Sequence, residues 1–427
     1  MSNEKILMDK FKMTGNDYES FKKAIARMDE ITKVEDIKKK DILPLSLCDL
    51  AEKQKDDSYI FYVMGRAHLD NVLLKGENFT YGAIKKDKLD KNLFEEMRNT
   101  TQYMWNIEGK NFFFSDLASP TFASRVSDTG ENMLNKVNLF RNLKWSDDLT
   151  SSNECMRVVY REHEGQRKIM GCLSSAFAPV KQQILCDVID AINDEKILGA
   201  PNVRYWSVDH EYTDIYMEFP EAAEEIQSTY GLKDAIVPGI FLCTSDIGRS
   251  SIIARSTYRM RKSGYVIMSE VTRKHSGDIK KEELLDMINE GIFSTVRVLP
   301  EKLADLMGKE VIDYANIDLS TEEGREKNIA EVGKVNDKII KKIFTKVIGF
   351  SKMKSLQTLL KEEFNGEIRY TLYDLAVDIM MMPDRIEGLE RDGLIKLRKA
   401  CARAPFEVEK CISKTSSNDE ELVLLPS

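Results

Sequence analysis

Between Ile252 and Met260 the chain reads Ile-Ile-Ala-Arg-Ser-Thr-Tyr-Arg-Met, and this alternation constrains the fold more than any other stretch. If Arg249 to Lys262 is extended, a side-chain period of two places Arg255, Thr257, Arg259 and Arg261 on one face. Ile252, Ala254, Ser256, Tyr258 and Met260 then occupy the other. A strand with one packable face requires partner strands and a covering layer, so the segment commits its surroundings to a sheet with something packed on it.

The neighbouring sequence agrees with a sheet. TQYMWNIEGKNFFF reads as two strands around Glu108-Gly109, and MRVVYREHEGQRKIMGCLS as a hairpin turning near Glu164-Gly165. VRYWSVDHEYTDIYMEFP adds two more strands. Between these, VKQQILCDVIDAIND repeats Ile184, Leu185, Val188, Ile189 and Ile192 at helical spacing. The expectation is an α+β protein, a central antiparallel sheet with packed helices flanked by helical N- and C-terminal regions. Four parts are expected: a mainly helical region over 1–100, an α+β core over 101–280, a helical region over 281–412 and a flexible acidic and hydrophobic tail over 413–427. Phe21, Ile25 and Met28 mark the first helix, and Val63 to Lys75 suggests another.

In the C-terminal region Val335, Ile339, Ile340, Ile343, Phe344, Val347 and Ile348 form an apolar stripe, with Lys338, Lys341, Lys342 and Lys346 opposite. This basic helix either presents a solvated surface, extends a cationic groove or docks on an acidic partner. The tail SKTSSNDEELVLLPS sets three acids before Leu422, Val423, Leu424 and Leu425. In composition it resembles the partner-recruiting tails of single-stranded DNA-binding proteins, so those four residues are the candidate contact for a protein partner.

Bulk properties narrow the function. The longest apolar runs, Ile240 to Cys243 and Ala376 to Met382, are far shorter than a membrane span, and the first residues carry no secretory pattern. A soluble protein of the cytoplasm is expected. Seven cysteines lie apart without a CxxC, and four histidines lack a second ligand at helical spacing, so neither metal nor cofactor is expected. The phosphate-binding motifs GxxxxGK[ST] and GxGxxG are absent, as is the GxSxG elbow.

With a net charge of −8, any polyanion binding must be local. Arg249, Arg255, Arg259, Arg261, Lys262, Arg273 and Lys274 supply such a local surplus, against one acid, Glu270. Guanidinium groups aligned on a strand repel one another unless anions face them, and each fits phosphate oxygens bidentately. Tyr258 and Tyr265 would offer stacking surfaces for unpaired bases. The competing reading pairs the same Arg residues with Asp209, Glu211, Asp214 or Glu218 on neighbouring strands. Asp209, His210, Glu211 and Asp214 also tempt a metal-dependent or acid–base reading, and Cys243 with His275 a nucleophilic one.

Four ordered stretches carry a family resemblance: LSSAFAPVKQQIL, GIFLCTSDIGRSSI, RKHSGDI, and YTLYDLAVDIM followed by IEGLERDGLIKL. Together, over about 170–400, they resemble the phage/plasmid-like proteins that carry domain of unknown function 932. The resemblance implies an origin on a phage or mobile element and carries over no catalytic residue. The leading expectation is a non-enzymatic nucleic-acid-binding protein, favouring single-stranded DNA, in recombination, annealing or DNA protection, and working as a homo-oligomer. The alternative is a virion component or a host-protein-binding factor that oligomerises through the sheet.

Overall fold

The computed structural model describes residues 6–7, 11–38, 155–260, 264–345, 347, 353–354, 357–359, 364 and 366–412, together with the strand segments 43–45, 58–61, 82–85, 104–107 and 110–114. The helix expected over Val63–Lys75, the residues Arg261, Lys262 and Lys346, and the tail with Leu422, Val423, Leu424 and Leu425 lie outside the described residues.

The protein is an α+β fold. Its main sheet is six-stranded and antiparallel throughout, formed by β1 (Lys12–Gly15), β10 (Asn202–Asp209), β11 (Thr213–Glu218), β12 (Ile236–Thr244), β13 (Ile252–Met260) and β14 (Tyr265–Arg273) in that spatial order. A second sheet runs in the order β2 (Thr32–Lys38), β8 (Cys155–His163), β9 (Gln166–Leu173), β7 (Lys110–Phe114), β6 (Met104–Ile107), β3 (Leu43–Leu45), with one parallel pair, β7 on β9. The strands β4 (Ser58–Phe61) and β5 (Gly82–Lys85) form a separate ladder. The β8–β9 turn at Glu164 and Gly165 has φ of 51° and 78°, the left-handed pair that a two-residue hairpin requires.

Nine α-helices pack on this framework among the described residues: α1 (Tyr18–Ile31), α2 (Gln183–Glu195), α3 (Pro220–Tyr230), α4 (Lys281–Gly291), α5 (Val298–Leu306), α6 (Glu322–Phe344), α7 (Leu372–Met380), α8 (Arg391–Cys401) and α9 (Ala404–Ile412). Their ends follow local chemistry. Asp17 accepts the Ser20 N–H at 2.8 Å to start α1, and Thr371 with Asp374 forms a reciprocal capping box on α7. The long α6 opens on Thr321, Glu322 and Glu323 and closes on Lys341 and Lys342, opposing its dipole at both ends.

Two apolar cores result. One buries Phe21, Ile25 and Met28 of α1, and Leu185, Val188 and Ile189 of α2, against Trp206, Ile215, Leu242, Ile252 and Ala254 of the sheet. The other gathers Leu299, Leu303, Ile340, Phe344, Tyr373, Leu397 and Val408 from the C-terminal helices and continues onto Tyr258, Met260 and Val266 of the same sheet. The divisions expected near residues 100 and 280 are therefore both bridged: β1 is hydrogen-bonded to β10, and the C-terminal helices share a core with β13 and β14. In the first hundred residues the structure adds strands to the anticipated helix. The β1 and β2 segments flank α1, and the four residues of β1 are too few for a period of two to announce it.

If α1 is part of the main core, Phe21→Ala, which empties a fully buried site 5.9 Å from the Trp206 ring, costs about 3–5 kcal/mol and lowers one cooperative transition. Urea unfolding followed by tryptophan fluorescence checks this; a loss under about 1 kcal/mol would detach the helix from the core.

Candidate functional site

Strand β13 has the two faces its alternation demands. Ile252, Ala254, Tyr258 and Met260 enter the cores, and Arg255, Thr257 and Arg259 occupy the reverse. The reverse face is not an open cationic surface. Arg255 is 5% exposed and donates through Nε to Glu270 at 2.6 Å, with its guanidinium 5.5 Å from the Phe241 ring centre. Arg259 grips Glu218 of β11 with Nε and Nη2 at 2.5 and 2.9 Å. Arg249 lies 3.9 Å from Glu211, and Arg273 pairs with Glu283 of α4 at 2.7 Å. Lys274 alone of the described basic candidates is exposed with no acid partner among the described residues. Tyr258 is on the core side, 1% exposed, its hydroxyl donating to the Val296 carbonyl at 3.0 Å, so it offers no stacking surface beside the Arg row.

Helix α8 covers this face. Arg391 donates to Asp214 of β11 at 2.6 Å and lies 4.0 Å over the Tyr212 ring. Arg398 sits 3.8 Å over the Tyr265 ring and pairs with Asp384, while Lys399 reaches Glu270 at 2.9 Å. The result is a partly buried lattice of arginines, acids and aromatic rings. Burial raises the Glu218 carboxyl, but hydrogen bonds from Arg259 and Tyr216 outweigh it and leave the group below its ordinary value. Glu270 follows the same logic: burial raises it, Lys399 and Arg255 bring it down, and the net shift is downward.

The other chemical candidates separate in space. Asp209, His210, Glu211 and Tyr212 form the β10–β11 turn, where Asp209 accepts the N–H groups of Glu211 and Tyr212 at 2.7 Å. Cys243 and Thr244 point to opposite faces of β12. Cys243 faces Asp214 and Arg391, while Thr244 meets His275 at 3.3 Å on the reverse. Burial pushes the Cys243 thiol up to about 12 and lowers the His275 imidazole. Among the described residues no group of three His, Cys, Asp or Glu side chains is arranged to hold a metal ion, and no described helix is long and apolar enough to cross a membrane.

Three of the resembling stretches meet at the junction of the two sheets. Phe177 stacks on His275 with ring centres 5.1 Å apart, and the Ala178 N–H donates to the His275 carbonyl. Gln182 accepts from Thr213 at 2.6 Å. Arg161 of β8, 1% exposed, pairs with Asp246 at 3.4 Å and ties the Ser245–Gly248 turn to the second sheet. This ion pair joins two layers.

An open cationic surface lies elsewhere, where α6, α8 and α9 converge. A groove of about 340 Å³ is lined by Lys342, Ile343, Val347, Lys396, Lys399, Ala400, Arg403 and Glu407. Its lining thus combines apolar and basic side chains with one acid. Lys399 is held by Glu270 and Lys342 by Glu407, whereas Lys396 and Arg403 are exposed and have no acid partner among the described residues. Lys338 and Lys341 prolong the basic surface along α6. The sequence pointed to the α6 lysines but missed Lys396, Lys399 and Arg403. The signal was spacing: Arg391 and Arg398 are seven residues apart, two helical turns, which sets Lys396 and Lys399 on the same helix, while Arg403 lies just past its end.

Compared with family models, curated proteins and solved structures, the chain matches none.

The depressed carboxyls give the lattice a defined pH dependence. A group whose pKa is lower when folded contributes stability fully present above its unfolded value, about 4.3 for Glu, and lost as the pH falls through the folded value. Glu218→Gln should therefore be less stable than wild type at pH 7, and the gap should close as the pH drops below about 4. Urea midpoints from pH 7 to 3 measure it; an unchanged gap across that range would contradict the lattice.

Proposed function

We propose that this protein binds single-stranded nucleic acid through the groove between α6, α8 and α9. One observation carries the reading: Lys396 and Arg403 stand exposed without acid partners among the described residues, in a groove whose lining also includes Ile343, Val347 and Ala400. Phosphates satisfy the cations, and the faces of unpaired bases cover the apolar side chains, which a duplex with its bases stacked inside cannot do. The groove's volume falls at the small end of the roughly 300–1,000 Å³ typical of ligand sites, suited to one nucleotide at a time and not to a double helix.

This moves the binding surface expected on the Arg row of β13 to the C-terminal helices. Arg255 and Arg259 already have carboxylates where phosphates would sit, and exchanging one anion for another gains little. The likeness to phage- and plasmid-type proteins supports a role in recombination, annealing or DNA protection in the cytoplasm of a host cell. A single groove makes few contacts, and self-association along a strand would multiply them.

Titration of labelled single- and double-stranded oligonucleotides at several salt concentrations tests the proposal. Wild type should prefer the single strand, with log affinity falling against log salt at a slope of about −3 if four cations meet phosphates. Lys396→Glu with Arg403→Glu should cut affinity at least about tenfold and flatten that slope by about half. Absence of binding by wild type at low salt rejects the proposal, and so does binding that the double variant leaves unchanged.

A further inference from the structure

We infer that the groove selects among bases, with the Glu407 carboxylate as the reader and unpaired guanine as the base it favours. The inference deepens the nucleic-acid reading and rests on it. Glu407 is the one acid among the residues that line the groove, where the other charged members are Lys342, Lys396, Lys399 and Arg403. It stands in the first turn of α9 and accepts from Lys342 through Oε2 at 2.7 Å and from Lys410 through Oε1 at 3.2 Å. The bond from Lys342 outweighs burial, the Lys410 bond adds to it, and the carboxyl stays below its ordinary value. At neutral pH the group is therefore an anion. It repels phosphate, which goes to Lys396 and Arg403 instead, and what it can take from a nucleotide is a hydrogen-bond donor.

The number of free lone pairs decides which base fits. A carboxylate offers about four lone-pair sites on its two oxygens. Lys342 and Lys410 occupy one on each oxygen, which leaves one on each for a ligand. That remainder matches two donors held side by side. Guanine carries such a pair on its Watson–Crick edge, the N1–H beside the N2 amino group, with O6 standing off to one side. Adenine sets its amino group beside the N1 acceptor, cytosine sets its own beside N3, and thymine holds a single N3–H between two carbonyl oxygens. Each of those three brings a lone pair against the anion. In a duplex the guanine edge is taken by cytosine, so only an unpaired guanine can be read. A nucleotide then has a receiver for each part: Lys396 and Arg403 for phosphate, Ile343, Val347 and Ala400 for the face of the base, and Glu407 for its donor edge.

Changing the base on the ligand tests this on the unaltered full chain. Fluorescence anisotropy at low salt compares short all-thymine strands with strands that carry isolated guanines, inosines or cytosines at the same positions. Wild type should bind the guanine strands about tenfold more tightly than the all-thymine ones, with inosine, which lacks the N2 amino group, between them. Glu407→Gln exchanges one acceptor oxygen for a donor and removes a negative charge. It should reduce the guanine preference to under about twofold and strengthen binding of the all-thymine strand. A carboxylate that served only to hold Lys342 in place would shift the affinity for every base alike. Equal affinity of wild type for all four strands overturns the inference and leaves the function standing. A guanine preference that survives in Glu407→Gln, or a loss in that variant shared by every base, does the same. Absence of binding by wild type to any of the strands overturns the nucleic-acid reading itself.

Discussion

The account depends on how buried arginines are neutralised. A guanidinium on a central strand cannot remain charged under a covering helix without a partner, because the cost of removing it from water far exceeds what packing returns. Arg255 meets a carboxylate from the adjacent strand β14, Arg259 meets one from β11 two strands away, and Arg391 of α8 neutralises Asp214. With these pairs in place α8 can lie across the sheet, setting aromatic rings under its cations. The same placement determines what α8 shows to solvent: Lys396, with Arg403 just past the helix end, lines the groove shared with α6 and α9.

Much of the fold was legible because the relevant patterns are local. The period-two alternation of β13, the glycine turn at Glu164-Gly165 and the helical spacing from Ile184 to Ile192 each depend on a few neighbouring residues, and each appears where the sequence places it. The strands β1 and β2 were not legible. Four residues of β1 carry too little alternation, and they form a strand because β10 offers an edge.

The site was legible in part. Composition located the positive charge on β13 but could not say which acids would face it, since Glu218 is 41 residues from Arg259 in sequence. The acids Glu211, Asp214 and Glu218 were visible as the competing partners, and the structure realises that alternative for Arg249 and Arg259. Tyr258, placed by its alternation on the core side, is buried there and cannot stack on bases. The lysines of α6 were legible as one face of an amphipathic helix, but their role depended on a groove wall contributed by residues more than 50 positions later.

The central claim is that the cations available to a polyanion are those of α6, α8 and α9 and not those of β13. Amide hydrogen exchange with and without a saturating single-stranded oligonucleotide compares the two directly. The account predicts new protection in residues 338–345 and 391–412 with none added across 252–260. Protection gained across 252–260, with the C-terminal helices unchanged, would contradict it.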